Sequence, residues 1–378
     1  MSNKGGLEGV VVADITTSFI DGTIGKLIYS GYTIEDLAEN ATFEEVLFLL
    51  FNVRLPNRQE YEDLRATIAK NATIPDAVIA MMKSLPKTTP AMAVLRTAVS
   101  MLSAYDEDAE NLTDKEVAKA KAFRLTGQIT TICAAWMRIA KGQDPIAPRD
   151  DLGLAQNFVY MMSGEEPDET ASAAINVYLV LLAEHGMNAS TFATRVITAT
   201  GSDMHSAIVG GIGALKGPSH GGANSEAMKM FLEIGDVDNV VPWFEKNIKN
   251  GDRRIMGIGH RVYKANDPRA DVLKKHAGAL AQSSGNSKWY DIAVKLSDTA
   301  RADDYFIERN LYANVDYYSA IVLYTLDLDI DMFTPLFAMS RIAGWSAHVI
   351  GQMSGRLIRP TANYVGPEDL KWTPIDER

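Results

Sequence analysis

The sequence predicts a mainly α-helical protein with one small β-hairpin near its N-terminus, and three observations carry that expectation. Segments rich in Ala, Leu and Met recur along most of the chain, with apolar residues three and four apart, the period of one helix face. Two of them, 173–183 and 335–350, are apolar nearly all round, as helices buried on several sides are. β-Branched and aromatic residues gather in 8–31, around an Asp21-Gly22 turn signal. At 378 residues the chain exceeds the ~250–300 at which single cores stop growing, so one large and one smaller domain are expected.

Taken in order, the hairpin of 8–31 (EGVVVADITTSFIDGTIGKLIYSG) comes first. Thr42 and Glu45 have the S/T-x-x-E form of a capping box and open the apolar run VLFLLF, so a helix starts there. Helices are then expected over 91–105, 115–141, 169–185, 203–215 and 223–234. Four more follow at 268–282, 290–302, 316–327 and 335–353. No repeat period and no low-complexity tract interrupts them.

Composition removes several classes of function. Apolar residues make up 47% and charged residues 22%, ordinary for a globular protein with a large core. A net charge of −11 and a sequence pI near 5.1 argue against a general nucleic-acid or anionic-membrane binder. The single cysteine, Cys133, excludes an internal disulfide framework and any multi-cysteine metal site, and it suits a reducing compartment. The opening MSNKGGLEGVVVAD has no continuous apolar region behind its lysine and does not read as a signal peptide. The most apolar stretch, 173–183, is interrupted by Asn176 and falls short of the ~20 residues a membrane span needs. A soluble cytoplasmic enzyme is the expectation.

Glycine, histidine and arginine mark where chemistry could sit. Six of the fourteen residues in 209–222 (VGGIGALKGPSHGG) are glycine, and 257–259 adds Gly-Ile-Gly, which permits close backbone approach to a ligand or simply an irregular connection. Between Glu245 and Lys275 nine Lys or Arg face four acids, a local +5 in an acidic chain; such an island fits a phosphorylated ligand or a solvated helix face. Of six histidines, His185, His220 and His260 adjoin glycine in turn-like settings, where an imidazole can be brought up to a substrate. None has the spacing of a helical zinc site and no HExxH is present, so no metal is expected. Arg269, Arg341 and Arg359 would suit a di- or tricarboxylate, or would each form a structural ion pair. Asp316 stands where an apolar helix begins, either as its N-cap or as a base whose pKa an apolar setting raises.

Gly217-Pro-Ser219-His-Gly221 matches G-x-S-x-G, which raises a serine-type acyl hydrolase as a rival reading. A nucleophile elbow needs a preceding strand, however, and SDMHSAIVGGIGALK reads as a helix running into a loop. GGIGALKG misses the dinucleotide fingerprint by one position and follows no strand. A non-catalytic CoA- or carboxylate-binding protein is the second rival.

Together the motifs resemble the citrate synthase family, nearly end to end. The resemblance is carried by GLEGVVVADITTSFIDG, AEHGMNAST, GPSHGGAN, MGIGHRVYKANDPR, NLYANVDYYSA, SRIAGWSAH and RLIRPTANYVGP, in that order. It implies a two-domain helical homodimer, with 1–213 and 318–378 forming a large domain and 214–317 a small one. It further implies that His220 bonds the thioester oxygen of acetyl-CoA, that His260 protonates the oxaloacetate carbonyl and that Asp316 abstracts the methyl proton. His185, Arg269 and Arg341 would bind oxaloacetate, joined by Arg359 from the partner subunit. Ile255, Met256, Gly257, Ile258, Gly259 and Lys264 would form part of the coenzyme A site. No permanently bound cofactor is implied, and acetyl-CoA or propionyl-CoA would be the co-substrate, since the short bacterial and archaeal type includes 2-methylcitrate synthases. Two departures stand out: Ala313 where the family often has proline, and Pro90-Ala91-Met92 where it has His-Pro-Met.

Overall fold

The β-branched run near the N-terminus pairs as expected: β1 (Ser18–Asp21) lies antiparallel to β2 (Lys26–Tyr29), closed by the four-residue loop Gly22–Gly25. These assignments come from a computed structural model that describes residues 6, 7 and 9–378. Residues 1–5 and Glu8, part of the stretch weighed above as a leader and as the start of the hairpin, lie outside the described residues. A short β3 (Tyr32–Thr33), which the residue pattern does not foretell, pairs with β2 to complete the sheet.

The rest is helical. In chain order come α1 (Ile34–Asn40), α2 (Phe43–Asn52), α3 (Arg58–Lys70), α4 (Asp76–Ser84), α5 (Ala91–Leu102) and α6 (Lys115–Ala140). Then follow α7 (Leu154–Ser163), α8 (Glu169–Leu182), α9 (Ala189–Thr198), α10 (Met204–Leu215), α11 (Ala223–Ile234) and α12 (Val240–Phe244). The last are α13 (Pro268–Ser284), α14 (Lys288–Arg301), α15 (Asp304–Glu308), α16 (Val315–Thr325) and α17 (Phe333–Gln352). The capping box forms at α2: the Glu45 amide donates to Thr42 Oγ1 at 3.3 Å, and the Thr42 amide donates back to the Glu45 carboxylate at 2.7 Å.

Two boundaries differ from expectation in ways that shape the site. α8 stops at Leu182 rather than 185, which frees Glu184, His185 and Gly186 as a loop. α16 is capped by Asn314, whose side chain accepts from the Asp316 amide at 2.9 Å, so Asp316 is not the cap and its carboxylate is left for other work. α9 (ASTFATRVIT) lies outside the spans that residue pattern assigns, because Thr, Ser and Val have weak helix propensity; Asn188 at its start supplies the cap.

α17 is the hub of the core, packing against α6, α8, α9 and α10, and its Trp345 and Arg341 are among the largest fully buried side chains. α13 packs on α16 and α8, while α11 packs on α16. Cys133 is buried. Among the described residues no helix is long and apolar enough to cross a membrane.

Candidate active site

The loop freed by the early end of α8 forms one wall of a cleft. Its His185 reaches Tyr263 Oη through Nε2 at 3.2 Å, and its ring stands edge-on to that of His260 with centroids 5.7 Å apart. Burial, then Arg269, Arg341 and His260, hold the His185 pKa well below the usual imidazole value, so its ring is neutral.

Two buried guanidiniums face this loop. Arg269, 2% exposed at the start of α13, is clamped by Asp267: Nε donates to Oδ1 at 3.0 Å and Nη2 to Oδ2 at 2.9 Å, and the face lies over Tyr263. Burial opposes its charge, but Asp267 together with Tyr263 and Tyr29 outweighs burial and raises its pKa above the ordinary arginine value. Arg341, 1% exposed on α17, donates through Nε to the Leu182 carbonyl at 2.7 Å and lies against Phe337. Among the described residues no carboxylate pairs with Arg341, so a desolvated positive charge is left for an anionic ligand.

The opposite wall is built by a backbone tie between two distant segments. Ile258 bridges Ala313 antiparallel, with the Gly259 amide donating to the Tyr312 carbonyl and the Asn314 amide to the Gly257 carbonyl, both at 2.8 Å. Gly257 is at φ 80°, and a Cβ there would lie 2.8 Å from Tyr317 Cα, so this approach requires glycine. The tie holds the segment that leads into His260 against the one that leads into Asp316, with Asn314 Nδ2 also donating to the Gly259 carbonyl at 2.9 Å. The Val262 and Tyr263 amides donate to His260 Nδ1 at 3.1 and 3.2 Å, which leaves the ring proton on Nε2. Burial, then Arg269, lowers the His260 pKa to about 4. Burial raises that of Asp316 to about 6 against the pull of Arg269 and Arg341. A neutral donor and an unusually basic carboxylate therefore share one cleft.

His220 follows α10, and its Nε2 lies 2.9 Å from Ser190 Oγ and accepts from the Ser190 amide at 3.3 Å, so its proton sits on Nδ1. Ser190 is itself held by Trp345, whose indole N–H donates to Oγ at 3.1 Å. Burial and then Arg341 lower the His220 pKa to about 4.

Beside His260 opens a cavity of about 710 Å³ lined by Ile255, Ile258, Gly259 and the basic residues Lys249, Arg253, Arg254, Arg261 and Arg309. Arg253 is bidentate to Glu233 at 2.7 and 2.8 Å, and Lys249 pairs with Glu245 and Asp303. Among the described residues Arg254 and Arg261 have no ion-pair partner, so the basic island is partly a free anion site.

The structure thus brings His185, His220, His260, Arg269, Arg341 and Asp316 to one cleft, with Ile255, Ile258 and Gly259 on the adjoining cavity. Met256 and Gly257 do not line that cavity, nor does exposed Lys264, whose Nζ reaches only the His260 carbonyl at 3.5 Å. Arg359 is exposed on the segment after α17 and takes no part in the cleft within this chain. Ser219 is exposed in a turn that follows helix α10 rather than a strand, which removes the basis for a nucleophile elbow. Sequence reasoning did not single out Ser190, Tyr263 or Asp267, although each lies inside a motif quoted for the family. Among the described residues no three His, Cys, Asp or Glu converge as a metal-ligand set.

Comparison with known proteins gives a uniform result. The family model described as "Citrate synthase, C-terminal domain" matches residues 6–361. The chain is 46% identical to citrate synthase 2 of Bacillus subtilis over the whole of both chains. It is 39% identical to a 2-methylcitrate synthase of Mycobacterium tuberculosis, covering 97% of this chain and 91% of that one. Its fold superposes with a TM-score of 0.92 on citrate synthase from Thermoplasma acidophilum, 37% identical and covering 98% of each chain, solved as a ternary complex with carboxymethyl coenzyme A and oxaloacetate.

Proposed function

The chain belongs to the citrate synthase family of condensing enzymes, and from that premise we propose that it joins oxaloacetate to acetyl-CoA, giving citrate and CoA, and that it also accepts propionyl-CoA to give 2-methylcitrate. The observation that carries this reading is the electrostatic pattern of the cleft. A carboxyl group raised to about 6 stands among histidines held neutral and two buried arginines. The serine-hydrolase and non-catalytic readings gain no support from it.

Arg269 and Arg341 hold the two carboxylates of oxaloacetate, and His185 holds its carbonyl end, fixing the face to be attacked. Asp316 removes a proton from the methyl carbon of the thioester. His220 donates its Nδ1 hydrogen to the thioester oxygen, where the enolate charge gathers. A neutral imidazole suits this, because its own proton remains available at working pH. The methyl carbon then bonds to the oxaloacetate carbonyl carbon, and His260 passes its Nε2 proton to the oxygen that becomes the hydroxyl. Water finally cleaves the thioester, releasing the CoA thiol and the tricarboxylate.

Residues 214–317 are read as a small domain, because they carry His220, His260, Arg269 and Asp316, while His185 and Arg341 lie on the flanking segments. The cavity beside His260 is read as the coenzyme A site, with Ile255, Ile258 and Gly259 on its wall; Met256, Gly257 and Lys264 flank those residues in the chain without lining it. The C-terminal segment, with Leu357, Tyr364, Leu370 and Trp372 exposed, is read as an arm that packs on a second copy in a homodimer and carries Arg359 to the partner's cleft. Buried Cys133 suits a cytoplasmic setting. Acceptance of both acyl groups follows from the small energy, ~1–3 kcal/mol, by which one methylene is discriminated.

Thiol release from acetyl-CoA and from propionyl-CoA, each with and without oxaloacetate, tests the proposal. Oxaloacetate-dependent release is expected from both, and the two kcat/KM values rank the donors. Release without oxaloacetate, or none at all, would sink it.

A further inference from the structure

The two walls of the cleft come from segments about 75 residues apart, yet one small element bonds to both. At its base, β1 places Ser18 Oγ as donor to Glu184 Oε1 at 2.9 Å and as acceptor from the Gly186 amide at 3.1 Å, on either side of His185. Ile20 packs on Gly186, where a Cβ would lie 3.4 Å from its Cδ1. β2 adds Tyr29, whose hydroxyl donates to the Glu184 carbonyl at 2.7 Å. At the tip, the Gly22 carbonyl accepts from the Lys264 amide at 2.8 Å and the Ala265 amide at 3.3 Å, midway between His260 and Arg269. The fit there is close: a Cβ on Gly22 would lie 2.1 Å from the Val262 carbonyl oxygen, and one on Gly25 2.3 Å from that of Asn266.

We infer that the β1–β2 hairpin is a positioning element for the dicarboxylate end of the site, with Ser18 holding the His185 loop and Gly22 holding the 262–266 segment in register with it. Across the cleft His185 meets the other segment through side chains alone, one hydrogen bond to Tyr263 Oη and edge-on contacts with the Tyr263 and His260 rings, and a single hydrogen bond with such ring contacts does not fix two loops against each other. The hairpin supplies the missing constraint from a strand pair, which is stiffer than either loop.

The inference rests on the reading of the cleft as an oxaloacetate site, and its test separates the two. Gly22 is not at positive φ, so Gly22→Ala is opposed by Val262 alone, chiefly its carbonyl, which must retreat by about 1 Å to restore a 3.0 Å contact. A misplacement of that size costs about 10²-fold in catalysis. Gly22→Ala is expected to raise the oxaloacetate KM, to lower kcat/KM for oxaloacetate about 10²-fold, and to speed amide hydrogen exchange at Lys264 and Ala265. Ser18→Ala should raise the oxaloacetate KM about tenfold, the size of a lost bond to a charged group, and Ser18→Thr should restore it. Ile24→Ser, at the exposed tip, should leave both readouts at wild-type values.

If Gly22→Ala does not fold, replacing the four-residue loop by Asn-Gly keeps the Asp21–Lys26 pair and withdraws the tip, with the same expected effects. A folded variant with faster exchange but wild-type kcat and oxaloacetate KM would overturn the inference, and so would unchanged exchange. A wild-type protein without oxaloacetate-dependent turnover would instead defeat the activity reading, while the exchange rates would still decide whether the hairpin holds the segment.

Discussion

The acid limb of the pH–rate profile follows from Asp316. Burial lifts its carboxyl from the ordinary 3.8 to about 6, so the group is about nine-tenths protonated at pH 5 and almost wholly ionised at pH 8. If Asp316 is the base, kcat/KM for oxaloacetate falls about tenfold between those two values. His220 and His260, both near 4, stay largely neutral at pH 5 and together remove only about a fifth of the competent enzyme. An aspartate at its ordinary 3.8 would lose less than about a tenth, so the two cases differ by nearly an order of magnitude. The assay is the disappearance of thioester absorbance across pH 5 to 8, with circular dichroism confirming the fold at each end. Asp316→Asn should remove the limb together with about 10²–10⁴-fold of the rate. A profile flat to pH 5, or a limb centred near 4, would refute both the burial argument and the role given to Asp316.

Two further substitutions test how the site is held. Asp267→Asn leaves the buried Arg269 without its countercharge and should cost about 3–5 kcal/mol in chemical denaturation; a loss below about 1 kcal/mol would show that the pair is not desolvated. The ladder beside Ile258 uses the Tyr312 carbonyl and the Asn314 amide but not the Ala313 amide, so Ala313→Pro should be accommodated and should stabilise by about 0.4–1 kcal/mol through the unfolded chain; a loss of stability would place the Ala313 backbone outside the range proline allows.

Much of this architecture is legible in residue pattern because long amphipathic or apolar segments bury themselves in only one way. The helices at 115–140, 223–234 and 333–352 lie within two residues of the spans that periodicity assigns. The site is legible in part. Asp316 could be read as cap or base, since an Asx residue before an apolar run serves either role; Asn314, two residues earlier, settles it by taking the cap. Ser190, Tyr263 and Asp267 are ordinary residues locally, and each gains meaning from a partner outside its own helix or turn. Ser190 meets a histidine 30 positions on, and Tyr263 one 78 positions back. Asp267 supports Arg269 nearby and also the Val315 amide 48 residues away. No local window contains the Ser190, Tyr263 and Val315 pairings. The hairpin was legible as a hairpin, but its grip on two distant loops was not.

On the proposed reading, the buried arginines have an effect beyond holding a dicarboxylate. Arg269 and Arg341 both pull the Asp316 pKa down, and between them they depress His185, His220 and His260. A dianion seated on them cancels that field at short range, where low dielectric makes it strong. If oxaloacetate seats on them as proposed, the basicity of Asp316 rises on binding, when the methyl proton of the acyl-CoA must be removed. A thioester entering the empty cleft would then meet a weaker base and an unfilled acceptor position, which would limit unproductive enolisation. The same cancellation puts the acid limb of kcat, which reports the bound complex, at a higher pH than that of kcat/KM, which reports the free enzyme. Binding and catalysis are coupled here through charge, and the coupling has a sign that the pH profile can read.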